Sequence, residues 1–268
     1  MKIIDAHLHF CRAEYFDGIA AAAGHENTAE HLSEQYGKLG IVHGVVMGNR
    51  GLSAQGDYPP FLSYCVGLDE ERLREESYQQ TVEQVQLHLQ RKNCVGIKLY
   101  PGYNSTYVTD QIYAPFYELA ARYQKPVAIH TGATAGKGAL LKYSHPLTLD
   151  ELAVRYPQVQ FVMCHFGNPW LVDAAAVLEK NDNVAVDLSG LLEGRVNPCA
   201  FFAENGGYVE QLRIWMKYAD CYDRVMFGTD WPLVNLKEYI AFIGRLVPER
   251  FQEDIFFGNA NRIYQLGL

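Results

Sequence analysis

The sequence predicts an α/β chain closed into a (β/α)8 barrel, and three observations carry that expectation. Eight short apolar runs alternate with amphipathic stretches along the 268 residues, and strands alternating with helices form parallel βαβ units. Eight such repeats in one domain-sized chain favour closure of the sheet on itself. An open doubly wound sheet would normally begin with a glycine-rich phosphate turn, and none follows the first run. The whole of 1–268 is expected to be one domain, because no linker or low-complexity segment divides it.

The first run sets the pattern. Ile3, Ile4, Ala6 and Leu8 are apolar and are interrupted by Asp5, His7 and His9, which reads as a buried strand over 3–9. Residues two apart on a strand project to one face, roughly 6.5 to 7 Å apart, a separation that suits two nitrogens reaching one metal at about 2.0 to 2.1 Å. A lone His-x-His is a weak signal, since paired strand histidines are often polar residues on a solvated face. Further strands are expected over 41–47, 61–68, 95–100, 127–131, 159–165, 184–188 and 225–228. Helices are expected over 25–39, 70–91, 115–124, 149–156, 169–180, 206–219 and 236–246, with a last one from Asn259 to about residue 266. Thr148 and Glu151 have the spacing of a capping box, and Asn168 followed by Pro169 reads as an N-cap before an N1 proline.

Composition excludes several classes. Lys plus Arg at 23 against Asp plus Glu at 31 gives a net charge of −8 with no basic block, which argues against nucleic acid or an anionic membrane surface as partner. No apolar run reaches the length that spans a bilayer, and no signal peptide pattern is present, so a cytoplasmic protein is expected. Six widely spaced cysteines without a Cys-x-x-Cys pair indicate neither a disulfide framework nor a zinc ribbon. Most are expected to be small core fillers.

The chemistry-bearing residues fall at the carboxyl ends of the strands: His7 and His9 on strand 1, Lys98 on strand 4, His130 on strand 5, His165 on strand 6 and Asp230 after strand 8. A barrel gathers those ends at one rim, where its active site sits. One histidine there would more often be a hydrogen-bonded core residue. Four, with a carboxylate and a lysine, reverse that expectation, because burying them together without a metal or a proton network is costly.

At this point the chain resembles the amidohydrolase superfamily, and within it the metal-dependent TIM-barrel hydrolases of the amidohydrolase-2 group, which includes aminocarboxymuconate-semialdehyde decarboxylase. The resemblance covers essentially the whole chain. It is carried by Asp5-Ala6-His7-Leu8-His9, Gly96-Ile97-Lys98-Leu99-Tyr100-Pro101, Pro126-Val127-Ala128-Ile129-His130, the stretch from Ser144-His145-Pro146 to His165-Phe166-Gly167, Gly228-Thr229-Asp230-Trp231-Pro232, and Gly258 to Tyr264. It implies a divalent metal, usually zinc, held by His7, His9, His130 and Asp230, with His165 as a further ligand or as a polarising, proton-handling group. Asp230 would be both ligand and base, and Asp230 and His165 the catalytic pair. Manganese could replace zinc.

Lys98 stays open. In binuclear members a lysine at this position is carboxylated and bridges two metals; a free ammonium cannot bind a cation. The alternatives are an ion pair with a carboxylate such as Asp230, or attraction of an anionic substrate. One metal and an unmodified Lys98 is the expectation, with two metals if Lys98 is carboxylated.

Substrate contacts are expected from loops after the strands: Arg12, Arg50, Tyr100, Tyr103, Trp170, Arg195 and Trp231. Each has a bland alternative, since mouth aromatics commonly pack loops and loop arginines are usually solvated. Residues 132–138 are glycine-rich but depart from the phosphate-loop spacing, so they read as a loop over the site, with Lys137 solvated and His145 nearby. His25, His31, His43 and His88 read as structural. The function expected is hydrolysis of an amide, ester or lactone of a small molecule. A decarboxylase or hydratase of a carboxylated substrate is the alternative, disfavoured because the chain is shorter than typical decarboxylases of the group. A barrel that keeps its ligands but only binds is a third reading. The resemblance also makes a homodimer a fair expectation.

Overall fold

The computed structural model describes residues 1–11, 13–68, 73 and 78–268. Its strands are β1 (Ile3–Leu8), β2 (Ile41–Met47), β3 (Leu62–Leu68), β4 (Cys94–Leu99), β5 (Val127–Ile129), β6 (Phe161–Met163), β7 (Val184–Asp187) and β8 (Val225–Met226). They form one eight-stranded sheet in sequence order, and every neighbouring pair is parallel. The last strand meets the first through Ala6 N–H donating to Phe227 O at 2.9 Å and through Thr229 and Asp230 N–H both donating to His7 O at 3.1 and 2.8 Å. The sheet is therefore the expected (β/α)8 barrel.

Between the strands lie α1 (Glu14–Ala22), α2 (Ala29–Leu39), α3 (Tyr78–Leu89), α4 (Ala114–Tyr123), α5 (Leu147–Arg155), α6 (Leu171–Lys180), α7 (Pro198–Glu204), α8 (Gly206–Ala219), α9 (Leu236–Leu246) and α10 (Asn259–Ile263). Two apolar layers result. Ile4, Ala6, Val45, Met47, Cys65, Ala128, Val162, Cys164, Ala185 and Met226 pack in one cluster, where Ile263 and Tyr264 of the C-terminal segment join them. Outward-facing strand residues such as Val66, Ile97, Val127 and Val186 join the helix faces in the second layer. Cys65, Cys94 and Cys164 are buried, Cys11 and Cys221 are half-buried, and Cys199 is exposed.

The departures from expectation have local causes. Helices α1 and α7 were not anticipated. Helix α2 starts at Ala29 rather than residue 25, because Thr28 Oγ1 accepts the N–H of His31 as its cap. No capping box forms at Thr148: α5 begins at Leu147, Thr148 Oγ1 donates to His145 O, and Glu151 pairs with Arg155. Asn168 and Pro169 share a cis peptide, and α6 begins two residues later. Asn259 heads α10 but uses its amide on Tyr222 O and Val225 O, and that helix ends at Ile263. The expected helix over 70–91 lies partly outside the described residues. No described helix is long and apolar enough to cross a membrane.

Candidate metal centre

Strands β5, β6 and β8 stop short of their expected ends because the residues that follow leave the ladder to build the site. His165 and Asp230 take left-handed backbone, at φ 61° and 58°, a region uncommon for residues other than glycine and associated with functional sites. Gly190 accommodates them. At φ +62°, it has no Cβ, which would stand 2.8 Å from His165 Nδ1 and 3.1 Å from Asp230 Oδ2.

The four rim histidines share a design. Each turns one ring nitrogen to a protein acceptor: His7 Nδ1 to Asp187 Oδ2 at 2.9 Å, His9 Nδ1 to Met47 O at 3.2 Å, His130 Nε2 to Ala133 O at 3.1 Å, and His165 Nδ1 to Ser189 O at 3.2 Å. A carbonyl or carboxylate can only accept, so in a neutral ring the proton sits on that nitrogen and the other nitrogen offers a lone pair. Burial holds His7 down to about 4 and also lowers His130 and His165, so these rings are neutral.

The remaining ring nitrogens converge. His7 and His9 Nε2 lie 3.4 and 3.3 Å from Asp230 Oδ1, and His165 Nε2 lies 3.2 Å from His130 Nδ1. His7 Nε2 and Asp230 Oδ1 are buried with no hydrogen-bond partner. Burial pushes the Asp230 carboxyl up, but His9, His165 and His7 hold it below the usual carboxylate range. Acceptors facing acceptors without an intervening proton repel unless a cation lies among them. Two ligands at about 2.0 to 2.1 Å from a tetrahedral ion stand roughly 3.3 to 3.4 Å apart, close to these separations. His7, His9 and Asp230 thus form a group that could hold a metal ion, and His130 and His165 stand beside it.

Lys98 is fully buried in the barrel, and its Nζ donates to Cys164 Sγ at 2.9 Å rather than to Asp230. The Asp230 ion pair considered for it is not formed.

A cavity of about 540 Å³ opens over the cluster. Its wall includes His9, His130, His165 and Asp230, the aromatics Tyr15, Phe16, Tyr100 and Tyr103, the aliphatic Ile19 and Leu233, and the polar Asn49, Thr134, Asn168 and Glu193. Residues 133–136 of the glycine-rich loop lie over it, pinned by Ala135 N–H donating to Tyr103 Oη at 2.9 Å. Tyr100 is fixed through its hydroxyl to Gly48 O at 2.8 Å.

The other expected substrate contacts are placed elsewhere. Trp231 is fully buried, with its ring 4.9 Å from that of His25 and 6.2 Å from that of His31. Trp170 packs on His145, whose Nε2 is 3.6 Å from Asp173. Arg195 is exposed and pairs with Glu238 at 3.0 Å. Arg50 is outside the cavity wall, and Arg12 lies outside the described residues. His43 and His88 are bonded to Ser63 and Tyr64.

Three supporting residues were not singled out from sequence. Asp5 accepts from Thr229 N–H and Oγ1, Tyr36 Oη and His7 N–H, and so ties the Thr229-Asp230 turn to β1. Asp187 and Ser189 brace His7 and His165. The signal was available: Asp187 is a charged residue inside the apolar run Val184-Ala185-Val186-Asp187-Leu188.

His25 gives a prediction about pH. Its Nε2 accepts from Leu236 N–H, so its Nδ1 donates to His31 Nε2 at 3.0 Å. Burial, then the neighbouring His31 and Arg195, lower it from 6.5 to about 4. The folded pKa is below the unfolded one, so its contribution is complete above pH 6.5 and is lost as pH falls towards 4. In urea denaturation at about pH 7 and about pH 4.5, His25→Gln is expected to lose less stability between the two than the native chain. Equal losses would contradict the assignment.

Comparison with known proteins follows the same lines. The amidohydrolase-2 family model, described as amidohydrolase, matches residues 4–266. No curated protein sequence matches the chain. Among solved structures, an uncharacterized TIM-barrel protein from Bordetella bronchiseptica superposes with a TM-score of 0.74 at 20% identity, covering 99% of both chains. A 2,6-dihydroxybenzoate decarboxylase from Rhizobium gives 0.67 at 15%, covering 100% of both. A probable 2-pyrone-4,6-dicarboxylic acid hydrolase from Acinetobacter baumannii gives 0.66 at 17%, covering 99% of this chain and 100% of that one. These likenesses show the shared barrel, and the match over nearly the entire sequence places the chain in the amidohydrolase family of enzymes.

Proposed function

We propose that the chain is a metal-dependent hydrolase of a small-molecule amide, ester or lactone, using one divalent ion, zinc first. The observation that carries this is the proton-poor cluster under an open cavity, with a buried Asp230 oxygen left without a partner. His7, His9, His130 and Asp230 would hold the ion. His165 offers Nε2 as a further ligand or as a proton acceptor; in its neutral form it has no proton there to give a substrate oxygen. A bound divalent ion supplies Lewis acidity and acidifies water. Asp230, ionised at the cavity wall, receives the proton from the attacking water and returns it to the leaving group. Tyr100 and Tyr103 give the substrate an apolar wall, and the 133–136 loop excludes solvent from one side.

Decarboxylation of a carboxylated substrate is the second reading, supported by the likeness to a dihydroxybenzoate decarboxylase. Hydrolysis is preferred because Asp230, held below the usual carboxylate range, stands in the cavity wall where it can accept a proton from water. Protein purified without chelator is expected to contain one zinc per chain by elemental mass spectrometry and to hydrolyse members of a lactone, ester and amide panel. Release of CO₂ from aromatic acids with no hydrolysis of neutral substrates would establish the second reading. Failure to take up any divalent metal would end both.

A further inference from the structure

We propose that Asp187 and Ser189 are positioning residues that set the ring protons of His7 and His165, so that both rings turn a bare nitrogen to the metal; this rests on the metal reading above. Asp187 is fully buried at the end of β7, and its two oxygens have separate partners. Oδ2 accepts from His7 Nδ1 at 2.9 Å. Oδ1 accepts from the N–H of His165 at 3.0 Å, the N–H of Ser189 at 3.1 Å and the Ser189 hydroxyl at 2.5 Å.

The hydroxyl has one proton, and it is directed at Asp187. Its oxygen, 2.8 Å from His165 Nδ1, is therefore an acceptor there, as is the Ser189 carbonyl at 3.2 Å. His165 must carry its proton on Nδ1 and leave Nε2 bare. One carboxylate thus fixes rings from the first and sixth strands. Although His7, His165 and Asp187 bring ligand-type atoms within 4.8 Å of one another, the carboxylate is fully engaged by four donors, which makes it a brace and not a third ligand. Partners behind metal-bound histidines orient the rings and raise their basicity, and their loss typically costs about 10- to 100-fold in metal affinity.

Asp187→Asn separates this role from simple packing. The amide keeps the shape, and its oxygen stays with the three donors. Its NH₂ then faces His7 Nδ1, which can accept only if the His7 proton moves to Nε2, the nitrogen that meets Asp230. Long-range nitrogen–proton NMR correlations of the metal-free full-length chain, recorded at about pH 8 where histidines are neutral, read the tautomers directly. The native chain is expected to show His7 and His165 with the proton on Nδ1, and Asp187→Asn to show His7 with it on Nε2. Zinc affinity, by competition with a chromophoric chelator, is expected to fall on the order of 100-fold in Asp187→Asn and about 10-fold in Ser189→Ala.

Thermal melts establish that each variant is folded, and Ser189→Ala carries the test if Asp187→Asn is not. An Nε2 proton on either ring in the native chain would overturn the proposal, as would native zinc affinity in the folded variants. A native chain that binds no zinc would instead remove the metal reading, and the tautomers would still stand or fall on the spectra.

Discussion

Asp230→Asn is expected to lower kcat/KM by roughly three orders of magnitude or more, about 4 kcal/mol of transition-state stabilisation, while leaving the barrel folded. The reason lies in what the substitution spares. The Asp230 backbone is held by its N–H on His7 O and by Leu233 N–H on its own carbonyl, and both bonds survive. On the proposed mechanism, what is lost is the charge that would balance the ion and the group that would take a proton from water. The amide keeps the size of the side chain and forgoes only the charge that the neighbouring histidines favour, so the metal-free variant should still melt cooperatively, slightly below the native chain. Steady-state kinetics and a melting curve of the same preparation decide the matter. Full turnover by Asp230→Asn would sink the mechanism, and lost turnover with a collapsed melting curve would leave only a structural role for the side chain.

Trp231→Ala is expected to destabilise the chain by about 3 to 5 kcal/mol, as emptying a large aromatic from a packed core does. For a chain of this size, that is a fall in Tm on the order of 10 °C. The sequence placed Trp231 at the barrel mouth, since it follows Asp230 after the last strand, and such a residue would affect KM and little else. The left-handed backbone at Asp230 redirects the chain, so the next side chain enters the protein and packs against the rings of His25 and His31. A raised KM with an unchanged Tm would restore the substrate-contact reading.

That case shows where sequence reasoning reached and where it stopped. Polar residues ending apolar strands were legible because burial makes them expensive, so His7, His9, His130, His165 and Asp230 stood out and the fold brings them together at one rim. The path of the chain immediately beyond each strand was not legible, because it turns on single residues at positive φ. Asn-Pro signals show the same limit. Asn197 and Pro198 do open α7, with the Asn197 side chain accepting from Ala200 N–H, whereas the identical dipeptide at 168–169 precedes α6 without capping it. Tertiary contacts choose between two sites that look alike locally. Asp187 bears on the cluster only through the histidine groups it accepts from, so its role was not legible from its own position in the sequence.

The joint between β1 and β8 has a consequence for how the enzyme comes into being. His7 and His9 are synthesised more than 220 residues before the carboxylate they face, at position 230, and the backbone bonds that unite them run from Thr229 and Asp230 to His7 O. A nascent chain can present the histidine half while the intervening strands are still being made, with nothing to complete it. An ion that requires both halves binds only the closed ring, so by mass action it stabilises the finished barrel and not its precursors. Cellular metal supply would then act on the yield of mature protein as well as on its activity, through the longest-range strand closure of the barrel.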